Sequence, residues 1–139
     1  MKINVLLVSH SGLAEGMKKA TEFIAGEQAN FYAVELNADG IENYRKLIKK
    51  TIHQAKKTTE WIIISDIPSG SPGANALDIA VSENLLFKMY SGMNLAMVLD
   101  TILSRENKTS EELAQDAIKT GQESIVDMLV EEENEEEFF

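Results

Sequence analysis

Residues Ile3 to Ser9 form an apolar run too short for a helix and closed by Ser-His-Ser-Gly, the pattern of a central parallel strand covered on both faces. The period then changes. From Leu13 to Ile24 the apolar positions Leu13, Met17, Ala20, Phe23 and Ile24 recur at helical spacing, with Gly26 just past the end. Phe31 to Leu36 reads as a second strand and Asn37 to Gly40 as a loop. An amphipathic helix follows from about Ile41 to Lys57, with Ile41, Tyr44, Leu47, Ile48, Ile52 and Ala55 on one face. Trp61 to Ser65 is a third strand, ending at Asp66. The loop from Ile67 to Gly73 holds both prolines, and the helix behind it is expected from about Ala74 to Glu83. Leu85 to Tyr90 is a fourth strand, Ser91-Gly92-Met93 a turn, and Asn94 the cap of a helix that runs to Arg105. A capping-box start at Thr109 to Glu112 opens a last helix with Leu113, Ala117, Ile118, Ile125 and Met128 at its apolar positions. It is expected to reach about Leu129, with Gly121 a candidate break.

Strands alternating with helices imply an α/β fold. The expected architecture is a doubly wound, mostly parallel sheet of four main strands in the flavodoxin-like order 2-1-3-4, with helices on both faces. In that order the direction of winding reverses between the first and third strands, and ligands of such sheets bind beyond the carboxyl ends at that point. The loops leaving those two strands are His10-Ser11-Gly12 and Asp66 to Ser71. A length of 139 residues fits one domain, taken as 1–130, followed by an acidic tail over 131–139 that is expected to be disordered.

Composition narrows the functions available. The formal net charge of −10 argues against nucleic acid, whose phosphates such a surface repels, and favours basic protein partners. The absence of cysteine excludes disulfides, thiolate metal sites and a cysteine nucleophile. The methionines fall mostly at core positions, where gap filling explains them better than metal binding. There is no G-x-G-x-x-G and no G-x-x-x-x-G-K, so neither a dinucleotide nor a P-loop nucleotide is expected, and no cofactor is assigned. The amino-terminal apolar run reads as a strand, not a signal peptide. No apolar stretch approaches the ~20 residues that span a bilayer, so a cytoplasmic protein is expected, linked to a membrane only through partners.

Chemistry therefore rests on the two loops. A histidine at the end of a central strand, beside a carboxylate that accepts from one ring N–H, has its tautomer fixed and its other nitrogen left as a nucleophile. His10 and Asp66 fit these roles. Ser11, Gly12, Ser69, Gly70 and Ser71 can offer backbone N–H groups and hydroxyls to a phosphoryl group, and both loops run into helix amino termini, which favour anions. Neither loop contains Lys or Arg, which suits a relay more than a storage site. Singly, such a histidine is ordinarily a polar turn residue and such an aspartate a helix cap; their shared place at the switch point makes them a candidate site. His53, on a charged helical face, is read as solvent-exposed and without a role.

Val8-Ser9-His10-Ser11-Gly12, Ser65-Asp66, Gly70-Ser71-Pro72 followed by Asn75, and Gly92-Met93-Asn94 together resemble the mannose-family IIA component of the bacterial phosphoenolpyruvate-dependent sugar phosphotransferase system. The resemblance covers nearly the whole chain. It implies that His10 accepts a phosphoryl group from the phosphocarrier HPr and passes it to a IIB component for sugar uptake, with Asp66 orienting the imidazole. It also implies a homodimer to which the carboxyl-terminal part of each chain contributes. The chain departs from the family pattern at Ser69, where glycine is common, and at Gly73, where a bulkier residue is usual. Two other uses of His10 stay open at this level: a phosphorylation-dependent regulatory module, and a phosphotransfer subunit for dihydroxyacetone kinase. A serine hydrolase built on Ser71 is the remote alternative, because Ser69 to Gly73 nearly reproduces G-x-S-x-G, although His10 and Asp66 both precede the serine.

Overall fold

The computed structural model describes residues 3–55 and 60–130. Its elements are β1 (Ile3–His10), α1 (Leu13–Ala25), β2 (Phe31–Leu36), α2 (Gly40–Gln54), β3 (Glu60–Ser65), α3 (Ser71–Ser82), β4 (Phe87–Ser91), α4 (Leu95–Ser104) and α5 (Ser110–Glu123). The four strands form one sheet in the order β2-β1-β3-β4, every pair parallel. This is the α/β architecture that the alternating pattern predicts. The acidic tail, residues 131–139, lies outside the described residues.

β1 is buried from Ile3 to Ser9 because both faces of the sheet are covered. Val5, Leu7, Ile62 and Ile64 face one layer, packed with Met97, Val98, Leu113 and Ala117. Leu6, Val8 and Ile63 face the other, packed with Tyr44, Ile48 and Ile79. Each such aliphatic side chain contributes about 1.5–3 kcal/mol by burial, so the sheet is anchored from both sides. In register, Val8 lies opposite Ser65 on β3 and opposite Val34 on β2. The carboxyl ends of β1 and β3 therefore meet at the switch point.

Several boundaries move, each for a physical reason. α3 opens at Ser71 instead of Ala74, because a proline fits the first helical turn, where no N–H is needed, and Pro72 sits there. α2 ends at Gln54, with Ala55 extended; Lys56 and Lys57 lie outside the described residues. β4 is Phe87–Ser91, not Leu85 to Tyr90. α5 stops at Glu123, so Ile125 and Met128 are exposed and lie on no helix. Gly121 does not break α5. A Cβ there would approach Met97 Cβ at 3.1 Å and Asn94 Oδ1 at 3.3 Å, so the glycine lets α5 lie close against the start of α4. On α1 the buried positions are Ala14 and Thr21, with Met17 against the core, while Leu13, Phe23 and Ile24 are exposed.

The caps read from the sequence are present. Asn94 accepts from the Met97 N–H at 3.0 Å. Thr109 and Glu112 cap each other reciprocally at the start of α5. Among the described residues no helix is long and apolar enough to cross a membrane.

Candidate functional site

His10 is the last residue of β1, and its side chain is half exposed. Asp66 follows β3, its carboxylate only 8% exposed. One oxygen, Oδ2, accepts from the His10 backbone N–H at 2.9 Å and lies 2.8 Å from His10 Nδ1. The other, Oδ1, accepts from the Ile67 N–H at 2.9 Å. Burial alone pushes the carboxyl pKa up, but the hydrogen bonds from His10 and Ile67 outweigh it and hold the group below the ordinary aspartate value. The carboxylate is thus ionised at neutral pH and accepts only. The proton of the shared bond belongs to Nδ1, which leaves Nε2 with a free lone pair.

The loop after β1 is held by Ser9, Ser11 and Glu35. Ser9, fully buried, accepts from the Ala14 N–H at 2.8 Å and donates to the Ser11 carbonyl at 3.0 Å. Ser11 sits at φ 47°, a strained conformation for a residue other than glycine, and its N–H donates to Leu36 O at 2.7 Å. Glu35, at the end of β2, accepts from the Glu15 N–H at 3.3 Å, so a carboxylate already faces the first turn of α1. In the sequence Ser9 stands out as a hydroxyl among apolar residues and as part of the Val8-Ser9-His10-Ser11-Gly12 motif, but neither shows that it holds the loop. Glu35 gave no signal, because its role depends on strand register.

The second loop carries Ser69, exposed, and Gly70, which precedes α3 in an extended conformation. Ser71 opens α3 with its side chain at the surface. This first turn is fixed from α2. Tyr44, whose hydroxyl pKa is pushed up chiefly by burial, donates to Pro72 O at 2.7 Å. Arg45 donates to Asn75 Oδ1 at 2.8 Å and to Asp78 at 2.7 Å, and Asn75 in turn donates to Ser71 O at 2.8 Å. Ser65 and Ser91 share a 2.9 Å hydrogen bond that ties the ends of β3 and β4 together behind the loop.

The structure thus brings His10 and Asp66 into contact and sets both loops at the same end of the sheet. No hydrogen bond joins the Ser71 hydroxyl to His10 or Asp66 among the described residues, so the nucleophile–base contact of a serine hydrolase is not formed. His53 is exposed and pairs with Glu83 on the surface. A cavity of about 520 Å³ lies at the opposite end of the strands, lined by Ile3, Glu60, Arg105 and the residues that lead into α5. The His10 side chain, at the carboxyl end of the strands, is half exposed.

The profile of the EIIA-man family, described as "PTS system fructose IIA component", matches residues 4–118, a span that includes both loops. The chain belongs to the EIIA-man family. Among curated proteins, this EIIA-man chain is 30% identical over 129 residues to the PTS system mannose-specific EIIAB component of Escherichia coli (strain K12). The match covers 90% of this chain but 39% of that relative's length. Among solved structures, phosphotransferase system component EIIA from Streptococcus agalactiae superposes with a TM-score of 0.81 at 25% identity, covering 92% of this chain and 98% of that one. The mannose/sorbose specific IIA subunit from Enterococcus faecalis gives the same TM-score and identity, covering 91% and 95%. The family resemblance read from the sequence is thereby borne out.

Proposed function

We propose that this EIIA-man protein is a phosphoryl relay in which His10 Nε2 accepts a phosphoryl group from phospho-HPr and hands it to a IIB component that serves sugar uptake. The reading rests on the 2.8 Å contact between His10 Nδ1 and Asp66, which leaves one nitrogen nucleophilic on an exposed side chain. In the forward step the Nε2 lone pair forms a bond to phosphorus as the bond to the donor's leaving atom breaks, its electron pair returning to the donor. Nδ1 keeps its proton, and the positive charge gained by the ring faces the ionised Asp66. Ser11, Gly12, Ser69, Gly70 and Ser71 are the small residues that would offer the transferred group donors, Ser11 through its hydroxyl because its N–H is given to Leu36 O, the others through backbone or hydroxyl groups. With no Lys or Arg in either loop, nothing holds that group so tightly that onward transfer stalls. The relay works in the cytoplasm and meets the membrane only through the permease complex.

Incubation with phosphoenolpyruvate, enzyme I and HPr is expected to place an acid-labile, base-stable phosphate on the chain, and none on His10→Ala. Label that persists in His10→Ala would overturn the assignment.

A homodimer belongs to the same reading. Among the described residues β4 is an edge strand with one side unpaired, and the segment after α5 leaves Ile125, Met128, Leu129 and Val130 at least 73% exposed. Leu77 and Val81 of α3 and Leu86 before β4 are exposed as well. A second copy of the chain would cover these apolar groups. Light scattering is expected to give twice the 15.4 kDa chain mass, and a truncation after Ser124 to give the monomer; a monomeric full-length chain would contradict the dimer.

A further inference from the structure

We propose that Gly70 is a positioning residue for the His10 imidazole, a role distinct from any donation of its N–H to phosphate; the proposal rests on the relay reading above. The backbone at Gly70 is extended, φ −167° and ψ 162°, a conformation open to every residue, so conformational freedom does not require glycine here. Space does. A Cβ built at Gly70 would lie 3.0 Å from His10 Cε1 and 3.4 Å from both Cγ1 and Cδ1 of Ile67. Cε1 is the ring carbon between the two nitrogens. A side chain at position 70 therefore presses on the edge that joins the nitrogen held by Asp66 to the nitrogen that attacks phosphorus.

The ring cannot yield to that pressure without loss. His10 is fixed through its own backbone N–H to Asp66 Oδ2, so its Cα is pinned, and displacement must come from rotation of the side chain. Rotation draws Nδ1 away from the same Oδ2, which it meets at only 2.8 Å. Without that acceptor the tautomer is no longer set, and the protonated fraction at Nε2 rises. The Ile67 side chain, in contrast, is half exposed and flexible and can move aside. The imidazole is the neighbour that decides the outcome. Elsewhere the contrast is plain: at Gly16, in the exposed turn of α1, an added Cβ meets nothing within 4 Å.

The test pairs a resonance measurement that needs no partner with a transfer assay. In the unphosphorylated wild-type protein, ¹⁵N spectra of the imidazole are expected to show the proton on Nδ1. In Gly70→Ala they are expected to show a mixed or reversed tautomer. Phosphorylation by phosphoenolpyruvate, enzyme I and HPr is expected to slow on the order of ten- to a hundredfold at saturating HPr, with the KM for HPr changed far less. Gly16→Ala is expected to match wild type in both measurements. Retaining a well-ordered fold by circular dichroism, Gly70→Ala/Ile67→Ala separates the two crowded neighbours: the defect persists if His10 is the group displaced. Rescue by Ile67→Ala, or a Gly70→Ala protein with an unchanged tautomer and rate, overturns the proposal. Failure of the wild-type protein to accept phosphate would overturn the relay reading, while the spectra still decide the role of Gly70.

Discussion

Asp66→Asn is expected to slow phosphoryl acceptance by roughly a hundredfold and to lower stability at neutral pH, because an amide cannot match the donors around this carboxylate. Oδ2 faces two groups of His10, the backbone N–H and Nδ1, while Oδ1 faces the Ile67 N–H. If the amide NH₂ takes the Oδ2 place, it opposes the His10 N–H and forces Nδ1 to accept, which moves the ring proton onto the attacking nitrogen. If it takes the other place, the tautomer survives, but the NH₂ group opposes the Ile67 N–H and the charge that faces the phosphorylated ring is gone. Either arrangement sets a donor against a donor beside a side chain that is mostly buried, at about 1 kcal/mol. The pH dependence follows from the depressed pKa. A carboxyl whose folded pKa lies below its unfolded value stabilises the fold above the unfolded value, near 3.8, and loses that contribution as pH falls through the folded value. Thermal melts of wild type and Asp66→Asn are therefore expected to differ at pH 7 and to converge in strong acid. A gap that persists unchanged at low pH, or transfer kinetics within twofold of wild type, would remove Asp66 from its assigned place.

Arg105→Ala is expected to cost about 3 kcal/mol of stability without touching the site, through the loss of hydrogen bonds made by a buried charge. Arg105 is 3% exposed, and its guanidinium donates to the carbonyls of Ile3, Ala29 and Asn30 and to the Gln28 side chain. One residue after α4 thus ties together the start of β1 and the approach to β2. Arg105→Lys is expected to recover only part of the loss, since a single ammonium cannot fork across acceptors on both guanidinium nitrogens. Urea denaturation measures both variants; a loss below 1 kcal/mol for Arg105→Ala would show that other contacts hold this corner.

How far the sequence discloses the molecule depends on the range of the forces involved. β1 and β3 were legible because strands buried on both faces are uniformly apolar, and the strand–helix alternation then led to the parallel order and its switch point. His10 and Asp66 were legible for the same reason: each ends one of those two strands, so topology alone brings them together across 56 residues. Capping at Asn94 and Thr109 was local and therefore readable. Features set by tertiary distance were not. Arg105 looks like an ordinary helix-end arginine until its partners, more than 70 residues away, are seen. The place of Gly70 beside His10 Cε1 depends on the path of a loop, not on any pattern. Phe23 shows the limit of periodicity, since it is 91% exposed despite falling within the helical apolar spacing, because Ala14, Met17 and Thr21 define the inward face of α1.

Whether Asp66 holds the proton on Nδ1 and so directs phosphorus to Nε2 of His10 is read from phosphorus–nitrogen coupling in the ¹⁵N-labelled, phosphorylated protein. A one-bond coupling to Nε2, with Nδ1 still protonated, is expected if Asp66 sets the tautomer. Coupling to Nδ1, or a phosphate ester on Ser71 with an unmodified His10, would contradict that assignment.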